Sequence, residues 1–389
     1  MSQAQVTVTR RGAERAREGH LWVYRSDVRE AGAAEGGAVV RVRDERGRAV
    51  GQALYSDRSE IALRLLTARD EPVDRGWWRA RLRAAASRRS GLGREAEAFR
   101  LVYSEGDLLP SLIVDRYADV LVLQTLSQGT DALKGLFTEL LVEEFAPRSV
   151  VERNDVRVRA LEGLPVQSGV LYGEEPGELE VEQHGVRFRV APLGGQKTGA
   201  FLDQRENHLA ARAYARGRAL DCFTFNGGFA LSVAPVCESV LGLDVSPEAV
   251  AAARRNAELN GAPNVEFAEA NVFDALHEME SAGRRFDTVV LDPPAFAKNR
   301  ASVGAAARGY KEINLRALKM LEPGGHLVTC TCSYHMTEPL FLEVLAEAAR
   351  DARRRVQIVE RRTQSRDHPV LLGVPETLYL KCVVLRAVE

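Results

Sequence analysis

The chain has no CxxC pair, and its five cysteines are an odd number spread through 389 residues, which argues against a disulfide framework or a zinc finger. No run approaches the roughly 20 apolar residues that span a bilayer. The N-terminal MSQAQVTVTRRGAERAREGH is basic but lacks the apolar stretch of a secretory signal. A cytoplasmic location with no membrane partner is therefore expected. No GxGxxG is present, which disfavours a nicotinamide dinucleotide. Internal repeats and low-complexity segments are absent as well. Net charge is −1, with no surplus of either sign to steer the chain toward nucleic acid.

What remains is 45% hydrophobic and 28% charged, the balance of an ordinary globular protein, in a chain long enough for two or three domains. Lysine is scarce and arginine is not. Arginines crowd the first third in RRGAERAR, RVRDERGR and RARLRAAASRRSGLGR (Arg79 to Arg94). Two readings stay open for them: a solvated helix face, or a surface that contacts phosphates.

Residues 1–75 alternate strand-like runs (LWVYRSDV, GAVVRVRD, GRAVGQALYS, IALRLLT) with polar turns, the pattern of a small β-barrel. Residues 76–190 read as a central α+β domain. It opens with a helix from about Trp77 to Ala98, includes a second near Ala132 to Glu144, and closes on strands in GELEVEQHGVRFRVAP. Residues 191–389 change texture to alternating strands and helices. RALDCFTF, VLGLDVS, VEFAEANV, FDTVVLDPP and GGHLVTCTCS are strand-length apolar runs, and QIVERR and ETLYLKCVVLRA add two edge strands. This alternation predicts a Rossmann-like α/β domain with a mostly parallel seven-stranded sheet, whose ligands bind beyond the carboxyl ends of the strands.

The unusual residues of this half fall at those ends. The first strand leads into Asp221-Cys222-Phe223-Thr224-Phe225-Asn226-Gly227-Gly228, a loop whose glycines let backbone approach a ligand. The second ends at Asp244, placed to accept from ribose hydroxyls or, alternatively, to cap the helix after it. The third ends at Asn271, whose amide oxygen is suited to an adenine amino group. Loop, acid and adenine contact in that order fit a class I methyltransferase using S-adenosylmethionine better than a dehydrogenase. The fourth ends in Asp292-Pro293-Pro294-Ala295-Phe296, where two prolines fix a rigid turn. That turn is similar to the [DN]PP[YFW] loop of base-nitrogen methyltransferases, with one residue inserted before the aromatic.

The fifth strand runs into Thr329-Cys330-Thr331-Cys332-Ser333. Carbon 5 of cytosine is too weak a nucleophile to take a methyl group directly. A thiolate that adds to carbon 6 makes carbon 5 enamine-like, and a base then removes the carbon-5 proton so that the thiol leaves. Strand alternation puts Cys330 and Cys332 on one face at different depths, so at most one reaches a base. Buried packing is the competing role for each. Cys222, Cys237 and Cys382 read as core fillers.

Together these residues resemble the RlmI-type large-subunit ribosomal RNA (cytosine-5) methyltransferases over almost the whole chain. The likeness runs in order through HLWVYRSDV, SEGDLLPSLIVDRY, GGQKTGAFLDQREN, DCFTFNGGFA, LDPPAFAKN, RGYKEIN, TCTCS and DHPVLLGVPETLYLK. It implies an N-terminal PUA domain, a central domain and a methyltransferase domain that converts S-adenosyl-L-methionine to S-adenosylhomocysteine. Its implied partner is 23S ribosomal RNA, and its implied state a homodimer. It assigns Cys332 as nucleophile and Asp292 as the loop residue facing the cytosine. Around the cofactor it puts Asp221, Phe223, Asn226, Gly227, Asp244, Asn271, Asp292 and Pro293, with Lys197, Thr198, Phe201, Asp203, Gln204 and Arg205 walling the pocket. Pro294, Phe296, Arg308 and Tyr310 are the expected substrate contacts. The basic first third becomes an expected RNA surface, with arginines on phosphates and the target base extruded into the cleft. No metal is implied. Two departures bear on specificity: Asn271 stands where relatives tend to carry aspartate, and Tyr334-His335 follow Ser333 where a smaller Ser-Gly is usual. The alternative chemistry is methylation of a guanine or adenine nitrogen through the diproline turn, without a thiol.

Overall fold

The computed structural model describes residues 3–194, 200–297 and 299–388. The chain divides into two compact units. One is Met1–Val181 with Val190–Ala200 and Asp367–Thr377; the other is Glu182–Arg189 with Phe201–Arg366 and Leu378–Glu389.

The first unit carries two sheets. Strands Gln5–Val8, Trp22–Tyr24, Val28–Glu30, Val39–Asp44, Ala49–Tyr55 and Ile61–Thr67 form a six-stranded, largely antiparallel sheet around Val6, Val8, Val23, Val40, Val42 and Leu63. Strands Ala98–Tyr103, Leu112–Tyr117, Val120–Thr125, Ser149–Asn154 and Gln167–Gly173 make a second sheet in chain order. The helix expected from about Trp77 to Ala98 is shorter, running Arg75–Ser87. Asp74 caps its start by accepting from the Trp77 N–H at 2.9 Å. Gly91 and Gly93 follow its end, where helix costs most, and the chain re-enters a sheet at Ala98.

The arginines of this segment do not form a free basic stripe. Arg75 pairs with Glu139 (2.6 Å) and Glu143 (2.5 Å), and Arg83 with Glu144 (2.5 Å), all from the helix Lys134–Phe145. Arg79 pairs with the same two glutamates, 143 and 144. Arg88 and Arg89 share buried Asp107 at 2.6 and 2.7 Å. Nearer the N-terminus Arg11 pairs with Asp27, and Arg17 and Arg48 with Asp44. These arginines are thus ion-paired with acidic neighbours within the unit, so part of the clustered positive charge is offset there. Trp77 supports one further cation, with the Arg81 guanidinium 4.8 Å from its ring centroid.

The second unit is a seven-stranded sheet of β1 (Arg218–Cys222), β2 (Ser239–Asp244), β3 (Val265–Glu269), β4 (Phe286–Leu291), β5 (Leu321–Thr331), β6 (Val356–Arg362) and β7 (Lys381–Ala387). The strand order is β3-β2-β1-β4-β5-β7-β6, parallel through β5, with β7 antiparallel to both neighbours. Helices α1 (Arg205–Tyr214), α2 (Gly228–Val233), α3 (Pro247–Asn260), α4 (Val272–Ser281), α5 (Val303–Met320) and α6 (Glu338–Asp351) connect the strands. Alternation between apolar strand and amphipathic helix dictates this layering, since each helix buries one stripe on the sheet. The core beside β4 and β5 includes Leu291, Leu327, Ile313, Leu318 and Phe341. Chain order reverses between β1 and β4, so a crevice opens beyond their carboxyl ends.

The tip of the hairpin Leu179–Gln183/Val186–Val190, read from sequence as closing the central domain, lies with this second unit. Its Arg187 and Arg189 N–H groups donate to Asn260 (2.8 Å) and Asn256 (2.9 Å) of α3. Alternation identifies strands but does not say which body they dock on. Among the described residues no helix is long and apolar enough to cross a membrane.

Candidate active site

Asp221, the penultimate residue of β1, is buried. Its Oδ2 accepts from Thr224 Oγ1 (2.6 Å) and the Ala230 N–H (2.9 Å), while its Oδ1 is buried with no partner among the described residues. Burial raises its pKa to about 7. The following loop is in the left-handed region at Phe223 (φ 65°), Phe225 (φ 50°) and Gly227 (φ 88°). Two phenylalanines in that region are strained, and the surroundings hold them there. The Thr224 N–H donates to Leu243 O and the Phe225 N–H to Asp244 Oδ2, both at 2.9 Å, and Asn256 Nδ2 donates to Asn226 O at 3.0 Å. Phe201 meets Phe225 edge to face, with centroids 4.8 Å apart.

Asp244 ends β2 with both oxygens turned inward on backbone: Oδ2 on Phe225 and Oδ1 accepting the Ser246 N–H at 3.0 Å. The cap of α3 is Ser246 itself, which accepts from the Ala249 N–H. Asp244 therefore braces the loop, and each oxygen retains a lone pair for a ligand. Asn271 is exposed and caps α4, accepting from the Phe273 N–H at 3.0 Å.

Asp292, after β4, accepts at Oδ1 from Gln204 Nε2 (2.8 Å). Asn207 Nδ2 donates to Gln204 Oε1 at 2.7 Å, which fixes the amide so that its nitrogen faces Asp292. That relay ties the residues before α1 to the diproline turn. Asp203 is held by the Tyr379 hydroxyl at 2.5 Å, and Arg205 is buried, with Glu206 at 3.4 Å. Both are braces of the α1 entrance. Lys197 and Thr198 lie outside the described residues.

Pro293 is buried and Pro294 exposed; Phe296 is half-buried between the rings of Tyr310 (4.7 Å) and Phe273 (5.9 Å). Arg308 is exposed on α5. Tyr310 is fully buried, which corrects its expected substrate contact. Its hydroxyl accepts from Thr331 Oγ1 at 2.7 Å and lies 3.1 Å from Ser333 Oγ, and Ser333 Oγ in turn accepts the Ala297 N–H. The two neighbours of Cys332 are thereby anchored on either side. Cys332 itself is partly exposed, its Sγ 4.0 Å from Pro293 O. Cys330 is fully buried opposite Cys382, and burial pushes its thiol well above the usual range. Cys222, Cys237 and Cys382 are buried too.

Sequence reasoning missed Lys381. It stands opposite Thr331 in the β5/β7 register, buried, its Nζ donating to Ser333 O (2.8 Å) and Tyr379 O (3.0 Å). Burial lowers its pKa to about 8, against the influence of the Cys332 thiol, which raises it. The signal was a lone lysine interrupting the apolar run of ETLYLKCVVLRA.

The cleft offers an acceptor with no partner among the described residues (Asp221 Oδ1), a second strand-end carboxylate (Asp244) and a backbone loop with residues in the left-handed region. These suit a ligand with an ammonium and hydroxyls, as S-adenosylmethionine has.

A PUA-like domain matches residues 6–68, and an S-adenosylmethionine-dependent methyltransferase domain matches residues 164–386. The chain is 40% identical over 376 residues to ribosomal RNA large subunit methyltransferase I of Shewanella amazonensis, covering 94% of this chain and 95% of that protein. It is 39% identical over 371 residues to the protein of the same name from Klebsiella pneumoniae, covering 93% of each. Among solved structures it shares its fold with SMU.776, described as a methyltransferase complexed with SAH. The TM-score is 0.84 at 17% identity, over 98% of this chain and 100% of that one.

Proposed function

This chain belongs to the family of ribosomal RNA large subunit methyltransferase I, S-adenosylmethionine-dependent enzymes, and on that premise we propose that it methylates carbon 5 of a cytosine in large-subunit ribosomal RNA with Cys332 as nucleophile. One observation carries the choice of carbon 5. Of five free cysteines four are buried, and the partly exposed one directly follows β5, beside the diproline turn. A nucleophile must be reachable and held, and Cys332 alone is both.

Asp221, Phe223, Asn226, Gly227, Asp244 and Asn271 are the residues that would hold S-adenosylmethionine. When bound, it supplies an electrophilic methyl group. Asp221 Oδ1 offers an acceptor for its ammonium, and Asp244 acceptors for its ribose hydroxyls. Pro293 and Pro294 stiffen the wall against which a flipped base is pressed, and Phe296 gives that wall an aromatic lining. Asp292, oriented by Gln204, faces the base edge. The Cys332 thiolate adds to carbon 6, so that carbon 5 becomes nucleophilic. After methylation a base takes the carbon-5 proton, the 5,6 double bond reforms, and the carbon 6–sulfur bond breaks to return the thiolate.

Bisulfite sequencing of ribosomal RNA from cells with and without the protein tests this. One large-subunit cytosine should lose protection when the protein is absent. Unchanged protection at every cytosine, with a nitrogen-methylated purine lost instead, would overturn it.

A further inference from the structure

We propose that Lys381 is the positioning residue that keeps Cys332 ionised, a buried ammonium whose counter-charge is the thiolate. The proposal rests on the reading of Cys332 as nucleophile and adds how that thiol becomes reactive near neutral pH.

Burying an ammonium without a counter-ion is costly, so native proteins pair it. Lys381 is 6% exposed, yet among the described residues its ammonium has no carboxylate in an ion pair with it. Its two neighbours are neutral carbonyls, Ser333 O and Tyr379 O, which take two of its three N–H donors. Ser333 directly follows Cys332, and the β5/β7 register sets Lys381 opposite Thr331, directly before it. The ammonium is therefore pinned to the backbone that carries the thiol. Among the described residues Cys332 and Glu338 act on it as negative charges, Cys332 foremost. Interaction between two groups is reciprocal, so an ammonium favoured by the thiolate favours the thiolate equally. Ionisation releases the thiol proton to solvent and leaves the three ammonium protons in place. Cys330, two residues earlier on the same strand, lacks this arrangement and faces Cys382. The end of β5 thus carries an inert thiol on the strand and a reactive one just beyond it.

The test is the pH dependence of iodoacetamide alkylation of Cys332 in the full chain, read by peptide mass spectrometry. In the native protein the midpoint should fall below the free-thiol value of about 8.5. In Lys381→Met it should rise by about one pH unit or more, and in Lys381→Arg it should stay near the native value, since charge is kept. A native midpoint at or above the free-thiol value overturns the proposal with no variant needed. An unchanged midpoint in a folded Lys381→Met does so too. Failure of the nucleophile reading is separate: it shows as methylation that survives Cys332→Ala, whatever the thiol midpoint.

Discussion

Cys332 Sγ lies 4.0 Å from the carbonyl oxygen of Pro293, so the thiol at the tip of β5 faces the diproline turn that ends β4. This juxtaposition of adjacent parallel strands brings nucleophile and base wall to one point.

Cysteine roles should separate cleanly along β5. Cys332→Ala should lose methylation by roughly a thousand-fold or more, as when a nucleophile leaves a catalytic constellation, with its unfolding midpoint nearly unchanged. Cys330→Ala should retain activity but lose about 1 kcal/mol in urea unfolding, because the deleted sulfur leaves a void in a fully buried site. Comparable activity loss in both would contradict the assignment.

Tyr310 acts through its neighbours. Tyr310→Phe removes the hydroxyl between Thr331 and Ser333 and should cost about 1–2 kcal/mol of stability. Its kcat should fall while KM for RNA stays close to the native value, because the buried ring touches no substrate. A rise in KM alone would restore it as a contact residue.

Asp221 gives a signed pH dependence. Its folded pKa of about 7 lies above the ordinary aspartate value, so its protonated form is the one the fold favours. The stability it contributes is full below about pH 4 and is lost as pH rises through about 7. Asp221→Asn should flatten that limb, leaving the cofactor-free protein more stable than native above pH 7, while calorimetry shows weaker S-adenosylhomocysteine binding. An unaltered stability–pH curve would contradict the burial of an unmatched carboxyl.

Arg75, Arg79 and Arg83 are already paired with Glu139, Glu143 and Glu144. Replacing all three by Gln should change the slope of log RNA affinity against log salt by less than about 0.9, the value for one phosphate contact. A slope change near three times that would return the segment to the RNA surface.

The strand ends were legible because each carries a residue that is odd for its place: a carboxylate or cysteine closing an apolar run, or paired prolines. Those signals placed Asp221, Asp244, Asp292 and Cys332 at the carboxyl ends of their strands, where the structure has them. Charge neutralisation was not legible, since Arg75 and Glu143 are 68 residues apart and only the packing of two helices joins them. The burial of Tyr310 was equally hidden, because a tyrosine on an amphipathic helix reads alike whether its hydroxyl finds RNA or Thr331. Lys381 was passed over because its meaning depends on a cross-strand register that sequence does not print.

Covalent trapping tests the central claim most directly. The full-length protein is incubated with S-adenosylmethionine and large-subunit RNA containing 5-fluorocytidine, which blocks loss of the carbon-5 substituent. A denaturant-stable protein–RNA adduct, mapped to the Cys332 peptide and absent in Cys332→Ala, is the predicted result. Methylation of unmodified RNA with no such adduct, or an adduct that persists in Cys332→Ala, would contradict it.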